Sequence, residues 1–171
     1  MENTLIPEIA SVCGLYCGAC GIYLATQQND IEKLTRYAAM LKQPLSETRC
    51  DGCRSDRKTA YCNNCFMIKC SREKNLNFCG GGNEYPCEEL KNFQRQMPHQ
   101  AELWKAQSRI AEIGAAQWTD EMKAYFSCPE CNASNTSYDL KCPKCGHIPG
   151  NGFAGNNREA IMAYLEEKMK S

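Results

Sequence analysis

Apolar residues recur at three- and four-residue spacing in five stretches of the chain, and each stretch predicts a helix. From Asn29 to about Leu41, the residues Ile31, Leu34, Ala38 and Leu41 share one face. Asn29 and Glu32 stand at capping-box spacing before them, and Pro44 ends the run. A second helix is predicted to start near Pro86, at a first-turn position where the missing proline donor costs nothing, and to carry Leu90, Phe93 and Met97 up to Pro98. A third carries Leu103, Ile110 and Ile113 until Gly114, and a short fourth carries Trp118, Met122 and Tyr125 up to Cys128. The last is predicted to start with Asn156 and Glu159 as a second capping box and to carry Ile161, Leu165 and Met169. These apolar and aromatic residues read as packing rather than as sites.

Composition changes what such helices can be expected to do alone. The hydrophobic fraction is 43%, but it counts 14 cysteines, and without them it falls to about a third of the 171 residues. Val12 is the single valine, and a chain so poor in β-branched residues does not promise a large sheet. A core this lean calls for a staple, and in a reducing compartment a structural metal is the simplest one. The formal net charge is zero, so no global field draws the chain toward nucleic acid or a membrane. The N-terminus shows no basic segment followed by an apolar one, and no apolar run reaches the ~18 residues that span a bilayer. A cytoplasmic location, reduced thiols and no membrane association are therefore expected. In that setting paired cysteines read as metal ligands rather than disulfides.

Cys128-Pro-Glu-Cys131 and Cys142-Pro-Lys-Cys145-Gly146 are two C-x2-C knuckles separated by ten residues, the pattern of a four-thiolate zinc ribbon built on a short β-hairpin with Tyr138 packed in it. Zinc is the default occupant, and a rubredoxin type of iron site would use the same ligands. With four thiolates present, His147 reads as a bystander. The Gly150 to Gly155 run that follows matches G-x-G-x-x-G, but it lacks the preceding strand and the βαβ unit a dinucleotide site requires, and it reads as a flexible linker.

The N-terminal half holds ten cysteines. Cys17/Cys20 and Cys50/Cys53 have knuckle spacing and form a first candidate site. Cys62 and Cys65, with two of Cys70, Cys79 and Cys87, form a second, and Cys13 has no assigned site. Together with the ribbon this gives two to three zinc ions. Cys13-x3-Cys17-x2-Cys20 is also the spacing that holds an iron–sulfur cluster in radical S-adenosylmethionine enzymes, although Ala19 stands where those enzymes usually carry an aromatic residue. Residues 49 to 74 hold seven Lys or Arg against three acids. That excess admits nucleic acid, but it also suits compensation of thiolate charge, since zinc with four thiolates carries about two net negative charges. Two histidines, His99 and His147, leave no catalytic constellation.

The ordered motifs Cys13-Gly14-Leu15-x-Cys17-x2-Cys20, Cys50-Asp51-Gly52-Cys53, Cys62-x2-Cys65-x2-Ile68-x-Cys70, Cys79 and Tyr85-Pro86-Cys87-Glu88-x-Leu90 resemble the bacterial and archaeal family catalogued as domain of unknown function 3795, over roughly residues 10 to 100. Relatives resembled over greater length also end in a zinc ribbon. The family usually has a second cysteine where Gly82 stands. The resemblance implies a small cysteine-rich metal-binding domain with no established activity.

The resulting expectation is a mainly α-helical protein with small metal-stabilised knuckles and a short β-hairpin zinc ribbon near the C-terminus. Its expected parts are a cysteine-rich domain over 1–97, a helical connector over 98–127, the ribbon over 128–150 as a unit of its own, and a C-terminal helix over 156–171. The expected role is a zinc-binding module that engages a protein partner. The alternative is an iron–sulfur redox or radical enzyme using Cys13, Cys17 and Cys20.

Overall fold

The computed structural model describes residues 6–170, and among these the architecture is helical with no named strand. In chain order the helices are α1 (Gly21–Gln27), α2 (Ile31–Leu41), α3 (Ala60–Asn63), α4 (Phe66–Glu73), α5 (Glu88–Gln94), α6 (Leu103–Ile113), α7 (Ala115–Tyr125), α8 (Gly152–Asn156) and α9 (Arg158–Lys170). No helix among the described residues is long and apolar enough to cross a membrane.

The helices begin where local chemistry favours them, with three departures from the expected caps. Asp30, not Asn29, caps α2, its carboxylate accepting from the Lys33 amide at 3.0 Å, while Asn29 takes a left-handed conformation with φ 49°. The expected second helix starts at Glu88 rather than at Pro86 and stops at Gln94, so Met97 lies outside it and flanks a 3-10 turn at Pro98–Gln100. Asn151 caps α8 through the Ala154 amide at 2.8 Å, and α9 follows after Asn157, so the Asn156/Glu159 box does not form.

The expected stripes are only partly buried. Leu34 and Ala38 of α2 are buried, whereas Ile31 and Leu41 at its ends are exposed. In α9, Ile161 is buried, and Leu165 and Met169 face solvent. Helix propensity together with one anchored residue suffices at these chain positions.

Three apolar clusters hold the molecule together. The first joins Val12, Cys13, Cys53, Met67, Ile68, Leu90, Phe93 and Leu103, tying α4, α5 and the start of α6 to the N-terminal loop. A second gathers Ala10, Ile110 and Trp118 between the loop, α6 and α7, which meet at Gly114 with φ 81°. The third joins Ala19 of the N-terminal region to Phe126, Phe153, Ala154 and Ile161. This third cluster places the Gly150 to Gly155 segment inside the fold. Phe153 stacks on Phe126 at 5.3 Å, so the segment is a packed helical turn and not a flexible linker.

Candidate metal centre

The ribbon follows directly on α7, and its two halves are built alike. In the first, the Cys128 amide donates to the Ala133 carbonyl at 2.8 Å and the Asn132 amide to the Cys128 carbonyl at 2.9 Å. In the second, the Cys142 amide donates to the His147 carbonyl at 2.8 Å and the Gly146 amide to the Cys142 carbonyl at 2.9 Å. Each turn therefore needs a left-handed residue just after its second cysteine, and Asn132 (φ 56°) and Gly146 (φ 82°) supply it. Gly146 is legible as a turn residue from sequence. Asn132 escaped that reading, although asparagine is the residue after glycine that best tolerates this conformation. The expected β-hairpin does not form: the pairing reduces to one isolated bridge, Ser127 to Ser134, because the ten residues between the knuckles fold into hydrogen-bonded turns.

These turns bring the sulfurs of Cys128, Cys131, Cys142 and Cys145 within 4.8 Å of one another. Cys128 to Cys145 is 3.5 Å and Cys131 to Cys142 is 3.7 Å. Both separations are far beyond the ~2.05 Å of a disulfide. A tetrahedral zinc with bonds of ~2.3 Å to sulfur sets its ligand atoms about 3.8 Å apart, and these two separations lie close to that length.

The surroundings shift the sulfurs in opposite directions. Asn135, which is buried, accepts from the Cys142 thiol through its side-chain oxygen at 3.9 Å and donates to the Gly150 carbonyl at 2.6 Å. Asn135 and the amides of Cys145 and Lys144 hold Cys142 down at about 6. The His147 amide pulls Cys145 downward, but burial and the hydrogen bonds with Cys131, Cys128 and Cys142 push it up to about 12. Four thiols this close cannot all ionise without a cation among them. The four residues therefore fit a metal ion, and the His147 backbone takes part in the turn that holds Cys142 and Cys145.

The N-terminal cysteines are placed differently. Among the described residues, the group of possible ligands close enough to hold one ion is the tetrad of Cys128, Cys131, Cys142 and Cys145. Cys13 is buried beside Ser11 Oγ at 3.2 Å, and burial pushes its thiol up to about 12. Cys17, Cys20, Cys50 and Cys53 are neighbours in the electrostatic sense: burial raises Cys17 with Cys53 next to it, and burial raises Cys20 with Cys50 beside it. The Gly52 amide donates to Cys50 Sγ at 3.4 Å, as in a knuckle.

Cys62 and Cys65 are joined by a turn in which the Cys65 amide donates to the Cys62 carbonyl at 3.3 Å. Burial pushes Cys62 up to about 11, and its sulfur neighbours are Cys50, Cys20 and Cys53. Cys65 instead packs with Cys79 and Cys87 on the first apolar cluster. Cys62 lies in α3 and Cys65 is the residue that precedes α4. Cys70, Cys79 and Cys87 line one cavity of about 480 Å³.

No curated protein and no solved structure matches the chain. Residues 9–92 do match the model of a family described as "Protein of unknown function (DUF3795)", so the cysteine-rich half of the chain is similar to that family.

Proposed function

We propose that this protein is a zinc-stabilised binding module whose Cys128, Cys131, Cys142 and Cys145 hold one structural ion. The observation that carries this reading is the closed tetrad of sulfurs at single-ion spacing, with the backbone amides of Cys145 and Lys144 aimed at Cys142. Four protein thiolates leave no open position for a substrate or a reactive water, which is the mark of a structural site. Such a site fixes a surface, and the reading is therefore of a module that engages a protein partner.

The fate of the basic residues supports a protein partner over nucleic acid. Arg57 pairs with Asp51 at 2.7 Å, Lys74 with Glu84 at 2.6 Å, and Arg49 donates to Asn29 at 3.0 Å. Arg54 donates to the Ala10 carbonyl at 2.7 Å, lies over the Phe78 ring, and sits in the field of Cys53, Cys17, Cys13 and Cys79. Arg54 is thus placed to compensate thiolate charge, and the other three, committed to Asp51, Glu84 and Asn29, offer little to a phosphate backbone.

Metal analysis tests the reading. The ribbon should carry about one zinc per chain, and Cys131→Ser should lose one zinc equivalent. Equal zinc in the two proteins would overturn it.

A further inference from the structure

A cavity of about 510 Å³, the size of a small-molecule site, lies where the N-terminal loop meets α6, α7 and α8. Aromatic residues form much of its wall: Tyr16 from the loop, Trp118 and Tyr125 from α7, Phe126 just after it, and Phe153 from α8. Trp118 is 0% exposed, and its indole Nε1 has no hydrogen-bond partner among the described residues. An indole N–H can only donate, and a buried one normally finds an acceptor. We propose that this cavity binds a small uncharged aromatic molecule whose acceptor oxygen takes the hydrogen bond of Trp118 Nε1. The site is separate from the ribbon metal.

The ionic groups around the cavity set the charge of the ligand. Arg109 Nε donates to Glu121 at 2.9 Å and its Nη1 to Glu112 at 2.8 Å. Glu102 pairs with Lys105 at 3.7 Å and accepts from the Tyr125 hydroxyl and from Asn157 Nδ2, each at 3.2 Å. Asn156 in turn donates to the Tyr125 hydroxyl at 2.8 Å. Glu102, Glu121, Lys105 and Arg109 thus line the cavity as two closed pairs whose charges cancel. His99, also in the lining, is bonded to Tyr138 and kept neutral by burial. An ionic ligand would leave water without gaining a free counter-charge, whereas an uncharged acceptor meets the donor that the fold leaves over.

The aromatic geometry suits a flat ring. Phe126 stacks on Tyr16 at 5.7 Å and on Phe153 at 5.3 Å, and Tyr16 meets Trp118 edge-on at 6.2 Å. Such a wall presents ring faces and ring edges together, and both pack on a planar guest. Met122 of α7 adds a polarizable sulfur that also favours aromatic contact.

The test uses the full zinc-loaded chain and acetophenone, an uncharged ring with one acceptor oxygen and no donor. Nitrogen-15 spectra resolve the two indole N–H groups of the chain, and Trp104, which packs on Tyr85, serves as the internal control. Acetophenone should move the Trp118 indole signal saturably and leave that of Trp104 in place. Ethylbenzene, which lacks the oxygen, should bind about fivefold more weakly. Benzoate and benzylammonium, which carry charge, should bind at least about tenfold more weakly. No saturable shift at Trp118, or equal binding of acetophenone, ethylbenzene and benzoate, would overturn the proposal.

Trp118→Phe keeps a ring and removes the donor, so it should erase the preference for acetophenone over ethylbenzene; a preference that survives in this variant overturns the site. Should that protein not fold, Ala106→Leu narrows the same cavity from α6. It should weaken acetophenone about tenfold, and unchanged affinity counts against the site. Zinc content reads the ribbon and indole shifts read the cavity, so failure of either assignment is seen without the other.

Discussion

His99 is the residue on which the junction between the N-terminal half and the ribbon turns. Its Nδ1 lies 2.7 Å from the Tyr138 hydroxyl, and burial lowers its pKa from 6.5 to about 4. The folded protein therefore keeps the imidazole neutral at pH values where an unfolded chain protonates it. Above pH 6.5 both states are neutral and His99 contributes no pH dependence. As the pH falls from 6.5 toward 4 the unfolded state takes up the proton first, so stability drops across that window, by roughly 2 to 3 kcal/mol for a shift of this size. His99→Gln should be less sensitive to acid over the same interval. Urea midpoints at pH 7 and pH 4.5 measure it, and equal losses in the two proteins would show that His99 does not titrate this way.

Among the elements, α8 is the one whose nature changes most between sequence and structure. Its glycine and asparagine content suggests a chain with no fixed conformation, yet the Asn151 side chain caps it and also donates to the Thr136 carbonyl at 2.8 Å. Phe153 is 2% exposed and sits between the ribbon and α9 in the third cluster. Removing a buried phenylalanine costs about 3 to 5 kcal/mol, whereas a substitution in a free surface linker stays within about 0.5 kcal/mol. Phe153→Ala is therefore expected to lower the thermal midpoint markedly. A change within half a kcal/mol in equilibrium unfolding would return the segment to the status of a linker.

Across the whole molecule, the ribbon and the N-terminal half share contacts that a detached module would lack. The Ser137 amide donates to the Ala19 carbonyl at 3.3 Å, and on either side of the ribbon Phe126 stacks on Tyr16 at 5.7 Å and Phe153 shares a buried cluster with Ala19. Metal binding to small domains contributes folding free energy directly, about 10 to 16 kcal/mol in zinc-finger peptides. Loss of the ribbon metal should thus spread beyond residues 128–150. With a chelator under reducing conditions, amide protection is expected to fall at Tyr16 to Ala19 together with the ribbon. Protection retained at Tyr16 to Ala19 after the ribbon has opened would mean that the two regions unfold separately.

The sequence alone pointed to the helical character, to the lack of a large sheet among the described residues and to the closeness of Cys128, Cys131, Cys142 and Cys145. Each of these rests on short-range information: the spacing of apolar residues within one helix, the shortage of β-branched residues, and two C-x2-C pairs ten residues apart. Only the tertiary structure decided which N-terminal cysteines face one another. Cys62 has Cys50, Cys20 and Cys53 among its electrostatic neighbours, while Cys65 packs on the apolar cluster that Cys79 and Cys87 also touch, and no local pattern records either neighbourhood. The same holds for Phe153 and His99. Their burial depends on partners as distant in sequence as Ala19 and Tyr138, and no local pattern records a contact of that range.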